Sequence, residues 1–232
     1  MTRFVLDEAD TAAALDRDGH AVLPGLLTAQ ACSALAALYD APATTFRSRV
    51  VMARHGYGQG EYQYFARPLP SLVQSLREDL YPPLARIAAT WAERLNEAFC
   101  FPATQAALAV ACAEAGQTRP TPLLLRYGPG DYNRLHQDVY GALVFPMQVV
   151  VLLSRPGEDF TGGELVLSEG RARMQSRAIV VQWRQGGAVV IPVRARPVAS
   201  ARGWSKASMR HGVSTVLAGE RRTLGIIFHD AA

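Results

Sequence analysis

The segment Arg126-Tyr127-Gly128-Pro129-Gly130-Asp131-Tyr132-Asn133-Arg134-Leu135-His136-Gln137-Asp138 sets a histidine and an aspartate two positions apart behind a Pro-Gly turn. Side chains two apart on a strand leave the same face, so one imidazole and one carboxylate emerge together. A second histidine lies far downstream in Met209-Arg210-His211-Gly212-Val213, another β-rich run, which a jelly roll can bring opposite the first pair. His136, Asp138 and His211 thus make two imidazoles and one carboxylate, the set that holds non-heme Fe(II) on one face and leaves other positions open for oxygen chemistry.

The texture around this segment is that of short strands. From Thr121 onward, apolar runs alternate with Gly- and Pro-containing turns: Leu123 to Tyr127, Gln148 to Leu153, Gly163 to Leu167, Ala178 to Gln182, Ala188 to Ile191, Ser208 to Val216 and Thr223 to Phe228. Many short strands at such spacing predict a sandwich or jelly roll. Upstream, Thr28 caps a helix from Ala29 to Tyr39, and Ser71 to Leu80, Pro82 to Ala98 and Pro102 to Ala115 read as three more helices. The expected architecture is α+β: one domain over residues 1–232, with a mainly helical support and lid region over 1–120 and a double-stranded β-helix (jelly-roll) core over 121–232.

Downstream of His211, Arg221 and Thr223 share a strand face. A guanidinium fork matches a carboxylate bidentately and a hydroxyl adds a further bond, so the pair suits the far end of a dicarboxylate whose 2-oxo acid end chelates the metal. Tyr127, behind the turn at Gly130, donates to that carboxylate or packs beside it. His20, His55 and His229 are read as structural.

On these residues the chain resembles the Fe(II)- and 2-oxoglutarate-dependent dioxygenases over about Leu123 to Phe228. Arg126-Tyr127-x-Pro129-Gly130 followed by Leu135-His136-Gln137-Asp138 resembles the metal-binding segment of AlkB-type nucleic-acid demethylases. Thr161-Gly162-Gly163-Glu164-Leu165 and the ten-residue step from His211 to Arg221 are similar to prolyl hydroxylases. Arg221-Arg222-Thr223-Leu224-Gly225-Ile226 departs from the two-arginine motif that AlkB-type enzymes carry beyond the distal histidine. The whole-chain pattern also resembles a family of small bacterial oxygenases linked to nucleic acid. The resemblance implies that His136, Asp138 and His211 bind Fe(II), that Tyr127, Arg221 and Thr223 hold 2-oxoglutarate, and that dioxygen is the second cosubstrate.

Composition narrows the classes. Hydrophobic residues at 49% against charged residues at 19% exclude a disordered chain. Met1 to Leu15 carries Asp7, Glu8 and Asp10 rather than a basic and apolar leader, and no apolar run approaches bilayer length, so a cytoplasmic protein with no membrane association is expected. Cys32, Cys100 and Cys112 lack metal or disulfide spacing. The net charge of +4 favours a polyanion, although almost every cation is arginine, Lys206 being the one lysine, and the Ala- and Gly-rich background points to a codon-composition bias.

The Thr44 to Arg67 segment, with Arg47, Arg49, Arg54, Tyr57, Tyr62, Tyr64 and Phe65, is the candidate lid. Arg171, Arg173 and Arg177, and Arg194, Arg196 and Arg202, are two further basic clusters. The expected function is oxidation of a C–H bond on a damaged or methylated base of single-stranded or damaged nucleic acid, with no obligate protein partner. Hydroxylation of a protein (prolyl-type) or of a small molecule, and a jelly-roll module that holds metal without turnover, are the alternatives. Arg221 separates the last from the others, because a mere metal binder has no use for a carboxylate anchor.

Overall fold

The computed structural model describes residues 4–40, 45–98, 101–201 and 203–232; Pro42, Thr44, Cys100 and Arg202 lie outside the described residues. The chain opens with helix α1 (Glu8–Asp18), capped by the Asp7 side chain and ended by Gly19 in the left-handed region. Strand β1 (Ala21–Leu23) and helix α2 (Ala29–Ala37), capped by Thr28, follow. Then come β2 (Phe46–Val51), a 3-10 turn over Met52–His55, β3 (Gly58–Gln59) and β4 (Glu61–Phe65). The sequence reads this stretch as an irregular lid. Its strands are hidden by aromatic and arginine content, with no clean apolar alternation to announce them.

Helix α3 spans Ser71–Leu95 without interruption, where two helices split at Pro82 are expected. Proline inside a helix removes a backbone donor and costs about 3 kcal/mol. Leu76 and Leu80 before Pro82-Pro83, and Leu84, Ile87, Ala88 and Trp91 after them, all bury on one core, and that burial outweighs the lost bonds. Helix α4 (Gln105–Glu114) is capped by Thr104.

The remaining strands are β5 (Leu123–Tyr127), β6 (Tyr132–His136), β7 (Met147–Leu152), β8 (Phe160–Gly162), β9 (Leu165–Gly170), β10 (Arg177–Val181), β11 (Ala188–Pro192), β12 (Ala195–Ser200), β13 (Gly203–Val213), β14 (Val216–Gly219) and β15 (Arg221–Ile227). Among the described residues the larger sheet runs β1-β11-β7-β15-β5-β4-β2 and the smaller β10-β9-β13-β6-β3, with β12 also on β13. This is the double-stranded β-helix that the sequence predicts, with four strands of the N-terminal half built into it. No helix among the described residues is long and apolar enough to cross a membrane.

Strand alternation divides the larger sheet into two environments. Leu124, Val149, Val151, Leu224 and Ile226 face the helices, in one cluster with Leu80, Leu84 and Trp91. Their neighbours Leu125, Tyr127, Gln148, Val150, Arg221, Thr223 and Gly225 line a cavity between the sheets. A period of two therefore puts core and site on opposite faces of the same strands.

Candidate active site

The cavity has a volume of about 550 Å³ and opens beside β6. His136 ends β6, Asp138 lies just past it, and His211 sits on β13. His211 and His136 are direct register partners, with a bulge between His211 and Val213. The two histidines thus stand opposite one another on adjacent, paired strands. Ligand atoms from His136, Asp138 and His211 all lie within 4.8 Å of one another, and these three are the only such histidine, cysteine and carboxylate group among the described residues.

Each donor is prepared for a cation. His136 Nδ1 lies 2.8 Å from the Arg134 carbonyl oxygen, which only accepts, so Nδ1 carries the proton and Nε2 keeps its lone pair. Asp138 Oδ2 lies 3.2 Å from His211 Nε2, and Oδ1 lies 3.6 Å from His136 Nε2. Burial works against the Asp138 carboxylate, yet the two histidines outweigh it and hold the carboxyl well below its usual range. Burial, then charge on His136, keeps His211 low and therefore neutral. Burial also opposes charge on His136, but the bond to Asp138 raises it overall. Two nitrogen donors and one anionic oxygen fit a divalent transition ion.

Arg221 faces the cavity directly opposite Tyr127 in the β15–β5 register. It is 1% exposed, and its Nε and Nη2 have no hydrogen-bond partner. Burial draws its pKa down to about 10. A guanidinium so placed fits an anionic ligand, because leaving a charge dry and unpaired is costly. Thr223 faces the same space, two residues along. Burial pushes the Tyr127 phenol up to about 12, so it stays protonated, and its oxygen accepts from Asn133 Nδ2 at 3.3 Å. Gly163, at φ +63°, packs where a Cβ would come within 3.0 Å of Arg221 Cδ, so the Gly162-Gly163 turn makes room for the arginine stem.

Arg222, the next residue, points outward to the Ala36 carbonyl at 2.7 Å and to Glu220. His229 is not in the ligand group: it is buried beside the Asp138 backbone and 6.1 Å from the Tyr140 ring, and its Nδ1 accepts from Phe145 N at 3.2 Å.

Two residues at the site, Tyr140 and Gln148, carry no sequence signal, and two from the expected lid, Tyr64 and Arg47, support Tyr140. Tyr140 Oη donates to Asp138 Oδ1 at 2.5 Å, and Tyr64 Oη donates to Tyr140 Oη at 3.1 Å. The Arg47 guanidinium covers the Tyr64 ring at 4.3 Å. One carboxylate oxygen is thereby engaged by a phenol, leaving Oδ2 for a metal. Gln148 Nε2 lies 3.2 Å from His211 Nε2. Outer partners of this kind carry about 10–100-fold in metal affinity. Tyr140→Phe is accordingly expected to weaken Co(II) binding by about tenfold and to alter the visible Co(II) spectrum; an unchanged spectrum and affinity would remove Tyr140 from the site.

The lid residues are dispersed. Arg49 pairs with Glu61, Arg67 pairs with Asp230, and Phe65 is in the core. Tyr62 and Tyr64 line the cavity wall. His55 and Tyr57 stack at 5.3 Å, and Tyr57, half exposed, stands at the mouth. Arg196 is likewise consumed, buried against Glu169.

Comparison with known proteins agrees with this geometry. An uncharacterized Mycobacterium tuberculosis protein, found in strains H37Rv and CDC 1551, is 48% identical over 168 residues that cover 72% of each chain. A Pseudomonas putida prolyl-4-hydroxylase structure superposes with a TM-score of 0.56 at 16% identity, covering 97% of this chain and 100% of that one. A 2OG-Fe(II) oxygenase family oxidoreductase from Burkholderia pseudomallei gives 0.54 at 17% identity, covering 100% and 96%. These structures share the fold. Residues 60–231 match the Oxygenase-NA family, described as "Oxygenase, catalysing oxidative methylation of damaged DNA", and the chain belongs to that family of oxygenases.

Proposed function

We propose that the chain is an Fe(II)- and 2-oxoglutarate-dependent oxygenase that oxidises a methylated or otherwise alkylated base in single-stranded DNA. The observation that carries the reading is the pairing of two prepared and complementary sites in one cavity: the His136, Asp138 and His211 donors at one place, and the unpartnered Arg221 guanidinium at another. In this reading His136, Asp138 and His211 hold Fe(II), while Arg221, Thr223 and Tyr127 take the distal carboxylate of 2-oxoglutarate. Iron so held, with 2-oxoglutarate and dioxygen, supplies the oxidising power needed to hydroxylate an unactivated C–H bond.

The chain's own residues position and protect that chemistry. Arg221 and Tyr127 orient the cosubstrate by its far end, and Tyr140 holds Asp138 in one rotamer. Leu123, Leu125 and Val150 give the cavity apolar walls that exclude water. The stacked His55–Tyr57 pair offers a face on which a base extruded from its strand can lie. The family's description supports DNA as the substrate class. Hydroxylation of a carbon attached to nitrogen is followed by its loss as formaldehyde, which gives a second product to follow.

The test is succinate and formaldehyde release from 2-oxoglutarate in air with Fe(II), with and without methylated single-stranded DNA. Stimulation of both by the oligonucleotide is expected. Tyr57→Ala should then raise the DNA concentration required by at least about fivefold, since stacking on an aromatic contributes about 1–3 kcal/mol per base. Slow succinate release that ignores DNA would move the substrate to a protein or a small molecule.

A further inference from the structure

We propose that a second depression, walled by Gln137, Arg171, Arg194, Lys206 and Ser208, carries the phosphate backbone of the DNA strand whose base enters the cavity. The inference rests on the DNA reading above and adds where the strand runs.

Position is the first argument. Gln137 stands between His136 and Asp138 in sequence and lines both the cavity and this depression. Its amide nitrogen donates to the Arg194 carbonyl at 2.9 Å and to the Met209 carbonyl at 2.8 Å, which ties the floor of the depression to the strand bearing His211. A chain leaving the cavity mouth on this side crosses Gln137 and meets the cations directly.

Charge is the second. Arg171, Arg194 and Lys206 line the depression and no carboxylate does. Arg194 has no ion pair among the described residues. Arg171 meets Glu169, but that carboxylate is already bound twice by the buried Arg196. Lys206 meets Glu97 while about half exposed. The Lys206 pair is exposed on both sides, hence weak and easily exchanged for a phosphate, while Arg171 is 40% exposed and keeps guanidinium nitrogens beyond the one on Glu169. The apolar lining is confined to Ala172 and Ala195, so the surface has little to offer a hydrophobic partner.

The third argument is the contrast across the mouth. Tyr57, Leu135 and Val139 are exposed large apolar or aromatic side chains at the rim of the cavity. An aromatic and apolar rim at the mouth and a carboxylate-free cationic lining beside it are the two halves of a single-strand site, one for bases and one for phosphates.

The experiment is a polarisation titration of a fluorescein-labelled single-stranded oligonucleotide onto anaerobic protein loaded with Fe(II) and 2-oxoglutarate, repeated over a series of salt concentrations. Each phosphate contact on a single strand contributes about 0.7 to the slope of log K against log salt. The Arg171→Gln/Arg194→Gln/Lys206→Gln variant should bind at least about tenfold more weakly at low salt, with a slope shallower by about 2. Arg194→Gln alone should lose about 0.7, and Arg184→Gln, an exposed cation that lines neither depression, should lose nothing. All of these positions are exposed, so the unfolding temperature should hold. Tight binding by the unaltered protein with an unchanged slope in the triple variant would overturn the backbone track alone. No binding by the unaltered protein would overturn the DNA reading, and this inference with it.

Discussion

Replacement of Arg221 by methionine is expected to raise the 2-oxoglutarate concentration for half-maximal turnover by at least about thirtyfold while making the ligand-free protein more stable. Removing one partner of a buried charge pair costs about 2–5 kcal/mol, and 1.4 kcal/mol is a factor of ten. The stability gain has a separate origin. Arg221 is buried with two of its nitrogens unpartnered and only the Tyr127 ring beside its charge, so without an anion the fold carries a poorly compensated charge that the shorter, neutral methionine relieves. Thermal unfolding with and without 2-oxoglutarate tests both halves. The unaltered protein should gain stability from the ligand, and Arg221→Met should start higher and gain little. Unchanged cosubstrate dependence in the variant would place the anchor elsewhere. Arg222 is an unsuitable substitute, since its side chain already binds the end of α2 on the outer surface.

Asp138→Ala should abolish turnover and reduce metal affinity by more than the 10–100-fold that loss of an outer partner brings. Asp138 is the anionic member of the set, and its bond raises the pKa of His136. With an alanine there, two imidazoles whose ring centroids lie 4.2 Å apart remain without an anion between them, and they repel each other when both are protonated. Metal retained after dialysis, measured with Co(II) or Mn(II), reads the loss independently of turnover. His229→Ala should keep both metal and activity. Loss of metal from that variant would show that the distal ligand had been assigned to the wrong histidine.

The contrast between His211 and His229 also shows what a sequence can convey. His136-x-Asp138 is a local pattern, and Arg221 and Thr223 follow from strand alternation, so the three candidate ligands and the candidate anchor are readable. The pairing of His211 beside His136 is a matter of strand order, which no local pattern encodes. Tyr140 escapes notice for the same reason: its bond to Asp138 is local, but its support comes from Tyr64, far upstream. The strands of β5, β7, β11 and β15 announce themselves because each has an apolar face toward the helices and mostly apolar residues between, with Gln148, Arg221 and Thr223 the polar exceptions on the cavity side. Those of β2 and β4 do not, because Arg47, Ser48 and Arg49 interrupt the first and Glu61, Tyr62, Gln63 and Tyr64 fill the second. At Pro82-Pro83 the local rule is sound, and it is overridden by tertiary burial on both sides.

The direct rung between His136 and His211 has a bearing on folding itself. A slip of β13 by one residue against β6 turns His211 outward and brings Arg210 in, so the donor set exists in one alignment only. An ion recognised by that set binds the correctly aligned chain and ignores the slipped one. By mass action it then favours the aligned form, by about 2.7 kcal/mol at a hundred times its dissociation constant. With the three residues holding Fe(II) as proposed, metal supply during synthesis would bias the chain toward the aligned form.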